Sequence, residues 1–243
     1  MSGGGEVALV LVHGGGHDAR CWDLLIDAIA RTSDVRILAV DLPGRGTQPG
    51  PLAGLTVGAC VAAVVDQIRR ADLPRVVLVG HSMAGMIVPG VADALGPSQV
   101  ERSVLIAANV APADRPILDT LPLPVRAVAH LTARWPRPYR LPRPLARALF
   151  CNGMSRERTR FVTDRLVPEA GWLVREPIPG PRPGAPPVTW VLTTRDRAVP
   201  PALQRRTIAA LGSVDDVVEV DAPHDVMVSD PGELARVLLA RLG

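Results

Sequence analysis

A mostly parallel, doubly wound α/β sheet of about six strands is the fold class that this 243-residue sequence predicts. Three observations predict it. Short apolar runs alternate with amphipathic stretches, the βα rhythm that winds into a parallel sheet with right-handed crossovers. The runs are rich in Val and Leu without period-two alternation, as strands covered on both faces are. Residues 111–187 then break the rhythm with dense proline and arginine, which marks an insertion between two parts of one core, 1–110 and 188–243.

The elements follow in order. Glu6–Val12, Val35–Val40, Arg75–Val79, Ser103–Ala108, Val188–Thr194 and Val217–Asp221 read as strands. Trp22–Arg31, Thr56–Arg70, Met83–Leu95 and Ala202–Leu211 read as helices. The last helix opens at Asp230-Pro231-Gly232-Glu233, where Asp230 caps, Pro231 fills the first turn and Glu233 completes a capping box. In the insertion, phrases such as Pro122-Leu-Pro and Arg134-Trp-Pro-Arg-Pro break long helices. Leu145–Phe150 and Phe161–Leu166 nevertheless carry helix-like apolar spacing, so a folded helical cap is expected rather than a disordered linker.

Composition bounds the function. Hydrophobic residues make up 47% of the chain, which can fill one sizeable core. Met1–Gly5 leads straight into Val7–Val12 with no secretory signal pattern. No apolar run approaches the roughly 20 residues of a membrane span. A soluble, cytoplasmic protein with no membrane partner is expected. Cys21, Cys60 and Cys151 form no CxxC pair and are expected as reduced thiols, with no metal ligated. Net charge is +3, every basic residue is arginine, and aromatics are 3%. Few stacking rings make a poor nucleic-acid surface. The lack of lysine, with abundant Ala, Gly, Pro and Val, fits a GC-rich bacterial genome.

The chemistry centres on Ser82. Gly80-His81-Ser82-Met83-Ala84-Gly85 follows the strand Arg75–Val79 and precedes a helix, the setting of a strained strand–turn–helix elbow that holds a serine hydroxyl clear of the sheet. Gly80 and Ala84 are small because larger side chains would collide across such a turn. Asp196 follows a second strand and His224 a third, so the order serine, acid, histidine is that of a hydrolytic triad. His224 would take the Ser82 proton, and Asp196 would hold the imidazole tautomer. Asp114 is the rival acid. Met83, the residue after the nucleophile, would lend its N–H to an oxyanion. His13, His17 and His81 read as hydrogen-bonding supports of their loops rather than metal ligands, and Asp41 as a brace for its own turn. No phosphate-binding or dinucleotide glycine pattern follows a strand, so no cofactor is implied.

His13-Gly14-Gly15-Gly16-His17 with Cys21-Trp22, Asp41-Leu42-Pro43-Gly44-Arg45-Gly46, the Ser82 elbow, Arg195-Asp196-Arg197-Ala198-Val199-Pro200 and Pro223-His224-Asp225-Val226-Met227 together resemble the α/β-hydrolases. The likeness is to the compact branch with the plant methyl-ester esterases and hydroxynitrile lyases. It implies the α/β-hydrolase fold with a variable cap at 111–187, a second oxyanion donor at Gly15, and a substrate pocket near Gly14, His17 and Asp225. Hydroxynitrile lyases of this branch carry lysine where this chain has Asp225. Lacking any lysine, the chain loses that cation. Asp225 then either faces the pocket as a second carboxylate or is a solvated loop residue.

The expected function is a serine hydrolase acting on a small or medium carboxylic ester or thioester through an acyl-enzyme. The substrate is a small-molecule acyl compound, and presentation by a carrier protein is compatible. A non-hydrolytic lyase or cyclase on the same fold is the alternative, and a ligand-binding protein without catalysis the third reading.

Overall fold

A computed structural model of the chain describes residues 7–111, 114–120, 126, 137–178 and 184–242. Its centre is a six-stranded sheet of β1 (Val7–Val12), β2 (Ile37–Val40), β3 (Arg75–His81), β4 (Val100–Ile106), β7 (Val188–Thr193) and β8 (Asp216–Val220). Their order is β2-β1-β3-β4-β7-β8, and every pairing is parallel. Glu6, expected in β1, lies outside the described residues. The chain builds outward from β1 to β2, then returns to β3 on the other side. That reversal opens a crevice at the carboxyl ends of β1 and β3, where open α/β sheets bind ligands.

Burial on both faces explains the missing alternation. In β1, Ala8, Val10 and Val12 point into one core, while Leu9 and Leu11 point into the other. The first core packs under α2 (Val57–Arg70) and α3 (Val88–Leu95), and the second under α1 (Asp23–Ala30) and α8 (Pro231–Leu239). Thr56 caps α2 by accepting the Ala59 N–H at 3.0 Å. In α8, Asp230 accepts the Glu233 N–H at 3.1 Å, but the Glu233 carboxylate turns to Arg236. The cap is therefore one-sided, because an exposed guanidinium a turn away competes for that carboxylate.

Between β4 and β7 the chain makes a two-stranded antiparallel ribbon, β5 (Arg115–Pro116) with β6 (Pro177–Ile178), and two helices, α4 (Arg143–Phe150) and α5 (Arg156–Asp164). Both expected helices of this insert are present, each starting earlier than its apolar spacing suggested. The prolines around Pro122 and Arg134-Trp135-Pro136 lie outside the described residues. Two further helices, α6 (Pro201–Leu211) and α7 (Val226–Ser229), follow β7 and β8. No helix among the described residues is long and apolar enough to cross a membrane.

Candidate active site

Ser82 directly follows β3 with φ +52°, a left-handed backbone that non-glycine residues adopt only under local constraint. The turn is tight as well as strained. A Cβ on Gly80 would lie 2.6 Å from Val88 Cγ2 and 3.3 Å from the Ala84 Cβ. The Ser82 carbonyl accepts the Asn109 N–H at 3.0 Å, which ties the elbow to the chain leaving β4. Met83 is the second residue of a short 3-10 turn (Ser82–Met86), where the leading N–H groups have no partner within the turn.

The loops after β7 and β8 bring the remaining groups to Ser82. His224 Nε2 lies 3.0 Å from Ser82 Oγ, and Nδ1 lies 2.7 Å from Asp196 Oδ2. Asp196 is fixed by further donors: Thr193 Oγ1 at 2.9 Å and the Ala198 and Val199 N–H groups, each at 2.8 Å. A carboxylate so held cannot swing, and it aligns the ring that it contacts. Asp114, the rival acid, is exposed on the turn before β5 and its backbone pairs with Ile178. Asp196 is the acid beside His224.

Burial pushes the His224 pKa down, but the charges of Asp196 and Asp225 more than offset it, and the net shift is upward from 6.5. His81 goes the other way. Burial lowers it to about 3, so it is neutral and donates from Nε2 to the His224 carbonyl at 3.0 Å. Burial likewise lowers His13 to about 4, and its Nε2 accepts the Leu42 N–H at 3.2 Å. Both histidines therefore support loops, as expected. Asp41 braces its turn by accepting from the Thr47 N–H at 2.7 Å and the Thr47 hydroxyl at 2.9 Å.

Asp225 corrects the reading of a solvated loop residue. It is 0% exposed, and among the described residues neither oxygen has an aligned hydrogen-bond donor. His17 Nε2 stands 3.3 Å from Oδ2, and His81 Nε2 3.9 Å from Oδ1. Burial raises its pKa, but the surrounding histidines outweigh that and the net shift is downward, which keeps it charged. Among the described residues, His81, His224 and Asp225 are the one set that gathers three ligand-type atoms, within 4.8 Å. Both His224 nitrogens are already engaged with Ser82 and Asp196, so this donor set fits a metal poorly.

A cavity of about 160 Å³ opens at Ser82, lined by Gly15, Met83, Asn109, Tyr139, Phe150 and Glu169 among others. Gly14, His17 and Asp225 are not in that lining. Gly14 instead packs on the elbow, where a Cβ would come within 3.0 Å of the Ser82 Cβ. Phe150, the last residue of α4, stacks on the His224 ring at 5.1 Å.

Glu169 escaped the sequence reading. It is 4% exposed, and it ion-pairs with Arg45, which is 2% exposed. Glu169 Oε2 accepts the Gly16 N–H at 2.9 Å, while the Gly16 carbonyl accepts the Val167 N–H at 2.9 Å. The insert thus grips the glycine loop on both sides. Gly16 has φ +72°, which explains a glycine there. The only sequence signal was the arginine of Asp41-Leu42-Pro43-Gly44-Arg45-Gly46, whose partner lies 124 residues away.

Residues 9–237 match the alpha/beta hydrolase family. Human protein phosphatase methylesterase 1 is 37% identical over 90 residues, covering 35% of this chain and 23% of that protein. The chain thus aligns with about a quarter of that relative's length. An extracellular alpha/beta-hydrolase from a Paenibacillus species superposes with TM-score 0.84 at 21% identity, over 96% of this chain and 98% of that one. A methylesterase from Arabidopsis superposes with TM-score 0.79 at 19% identity, over 97% and 98%. The likeness to plant methylesterases read from the motifs extends through the whole fold, and the chain belongs to the alpha/beta hydrolase family.

Proposed function

We propose that the chain is a serine esterase, with thioesters open to the same chemistry. The observation that carries this reading is the contact chain Ser82–His224–Asp196 at 3.0 and 2.7 Å, at the mouth of a cavity. His224 Nε2 takes the hydroxyl proton as Ser82 Oγ attacks the acyl carbon. The carbonyl oxygen becomes an oxyanion, received by the N–H groups of Met83 and Gly15. Collapse expels the alcohol or thiol, which leaves with the proton from His224. Water then attacks the acyl-enzyme by the same route and restores Ser82. The 111–187 segment acts as the cap, and the small cavity suits short acyl groups. Similarity to proteins named as methylesterases supports an ester over other acyl compounds.

The lyase or cyclase alternative rests on the cap and on a proton-moving role for Asp225. Asp225 is 0% exposed and packed beside His17 and His81, which favours a charge behind His224 over a group that meets substrate. Turnover of p-nitrophenyl esters from acetate to octanoate by folded protein tests the main reading. Maximal rate at short chains is expected, and no turnover anywhere in the series would sink it.

The proposed role of Asp225 has its own test. His224 works as a base only when neutral, so kcat/KM should fall as pH drops through its raised pKa, giving an acid limb above 6.5. Asp225→Asn removes one raising charge and should move that limb to lower pH. A limb that stays in place would reduce Asp225 to a packing role.

A further inference from the structure

We propose that the insert carries a docking surface for an acidic carrier protein, one that presents the acyl group to Ser82 on a flexible arm. This rests on the acyl-hydrolase reading above. Charge is partitioned sharply between the two parts of the chain. Residues 111–187 hold 13 arginines against six Asp and Glu, a net +7, which leaves the rest of the chain at −4 within a total of +3. Such a separation steers an anionic partner toward the insert.

Four of those arginines, joined by one from the core, share a groove. Arg143 and Arg147 on α4, Arg156 and Arg160 on α5, and Arg197 from the loop after β7 line an open groove of about 930 Å³. Each helical pair is spaced i, i+4, so its two guanidiniums leave the same face of the helix. Arg143 meets Asp164 at 3.1 Å. Among the described residues, Arg147, Arg156, Arg160 and Arg197 form no ion pair, so four like charges share a groove with their carboxylate partners missing. An anion from outside relieves that repulsion.

Two features choose the occupant. Among the described residues no aromatic ring lines the groove, so a nucleotide would find phosphate partners there but nothing to stack its base. The arginines are exposed and spread over two helices, which suits a row of carboxylates on a protein surface better than one compact polyanion. The groove also adjoins the cavity. Arg147 precedes Phe150, which stacks on His224, by less than one turn of α4. A partner seated on the arginines therefore stands at the cavity wall, with the acyl arm left to cross it.

The test compares one short acyl group as a thioester on an acidic bacterial-type acyl carrier protein, on coenzyme A and on N-acetylcysteamine. Expected is a kcat/KM for the carrier thioester about tenfold or more above either small thioester, expressed in KM. That advantage should vanish in 0.5 M salt, taken as roughly the level at which surface charges are screened. Arg147→Glu/Arg156→Glu/Arg160→Glu should abolish it while p-nitrophenyl ester turnover is unchanged. Equal KM values for the three thioesters, a preference for coenzyme A, or an advantage that survives charge reversal would each overturn the proposal. Binding of the unloaded carrier protein, measured by calorimetry, needs no turnover. It decides the groove even if no ester is cleaved: weakening by the triple variant supports docking, and no binding to wild type refutes it.

Discussion

Replacing Ser82 with alanine will lower p-nitrophenyl ester turnover by roughly a millionfold, leaving only what the oxyanion donors and binding supply. The loss is so large because the Ser82–His224–Asp196 contacts act as a unit. Without Oγ, the base at 3.0 Å has no nucleophile to activate and the acyl-enzyme cannot form. The fold should survive, since alanine keeps the Cβ and removes one hydroxyl at the cavity surface. Thermal unfolding and a fluorophosphonate probe that labels wild type but not the variant separate lost chemistry from lost structure. A variant that keeps even about 1% of wild-type turnover would remove Ser82 from the mechanism, because background hydrolysis cannot supply that much.

Arg45→Met will destabilise the protein by about 3 to 5 kcal/mol, the scale of orphaning one member of a buried ion pair. Glu169 would be left almost out of water, with only the Gly16 and Ala170 N–H groups as partners among the described residues, at 2.9 and 2.6 Å. Glu169→Leu should cost at least as much, because it strands the Arg45 guanidinium and both amides together. Arg45→Met combined with Glu169→Gln should recover most of the loss, since the charges go together and an amide oxygen still faces the glycine loop. Urea unfolding with a constant slope would measure all three. A double variant no more stable than Arg45→Met would mean that the pair is not energetically coupled. Ester turnover should track the loop: Glu169→Leu lowers kcat in protein that is still folded, because Gly15 loses its fixed position.

What could be read from the chain in advance was governed by range. Strand runs such as Val76–Val79 and the Asp230 cap depend on neighbours within a few residues, and the structure has them. Ser82, Asp196 and His224 are far apart in sequence, yet each follows a strand, so topology alone brings them together. Glu169 had no such marker. Its importance comes from Arg45 and Gly16, which lie in other loops and which nothing local to Glu169 announces. Asp225 was ambiguous for the same reason. A loop aspartate beside a histidine looks solvated until the packing of His17, His81 and α7 around it is known.

The triad also makes the finished sheet a condition of chemistry. Ser82 and His224 are separated by 142 residues, and they meet only when β3, β4, β7 and β8 lie side by side in register. Such long loop closures come late and slowly, whereas helices form from neighbours. After dilution from denaturant, helical circular dichroism should therefore return before ester turnover does. Recovered activity would then serve as a clock for the last step of folding, reporting on chains that have closed the whole sheet and passing over compact intermediates that have not.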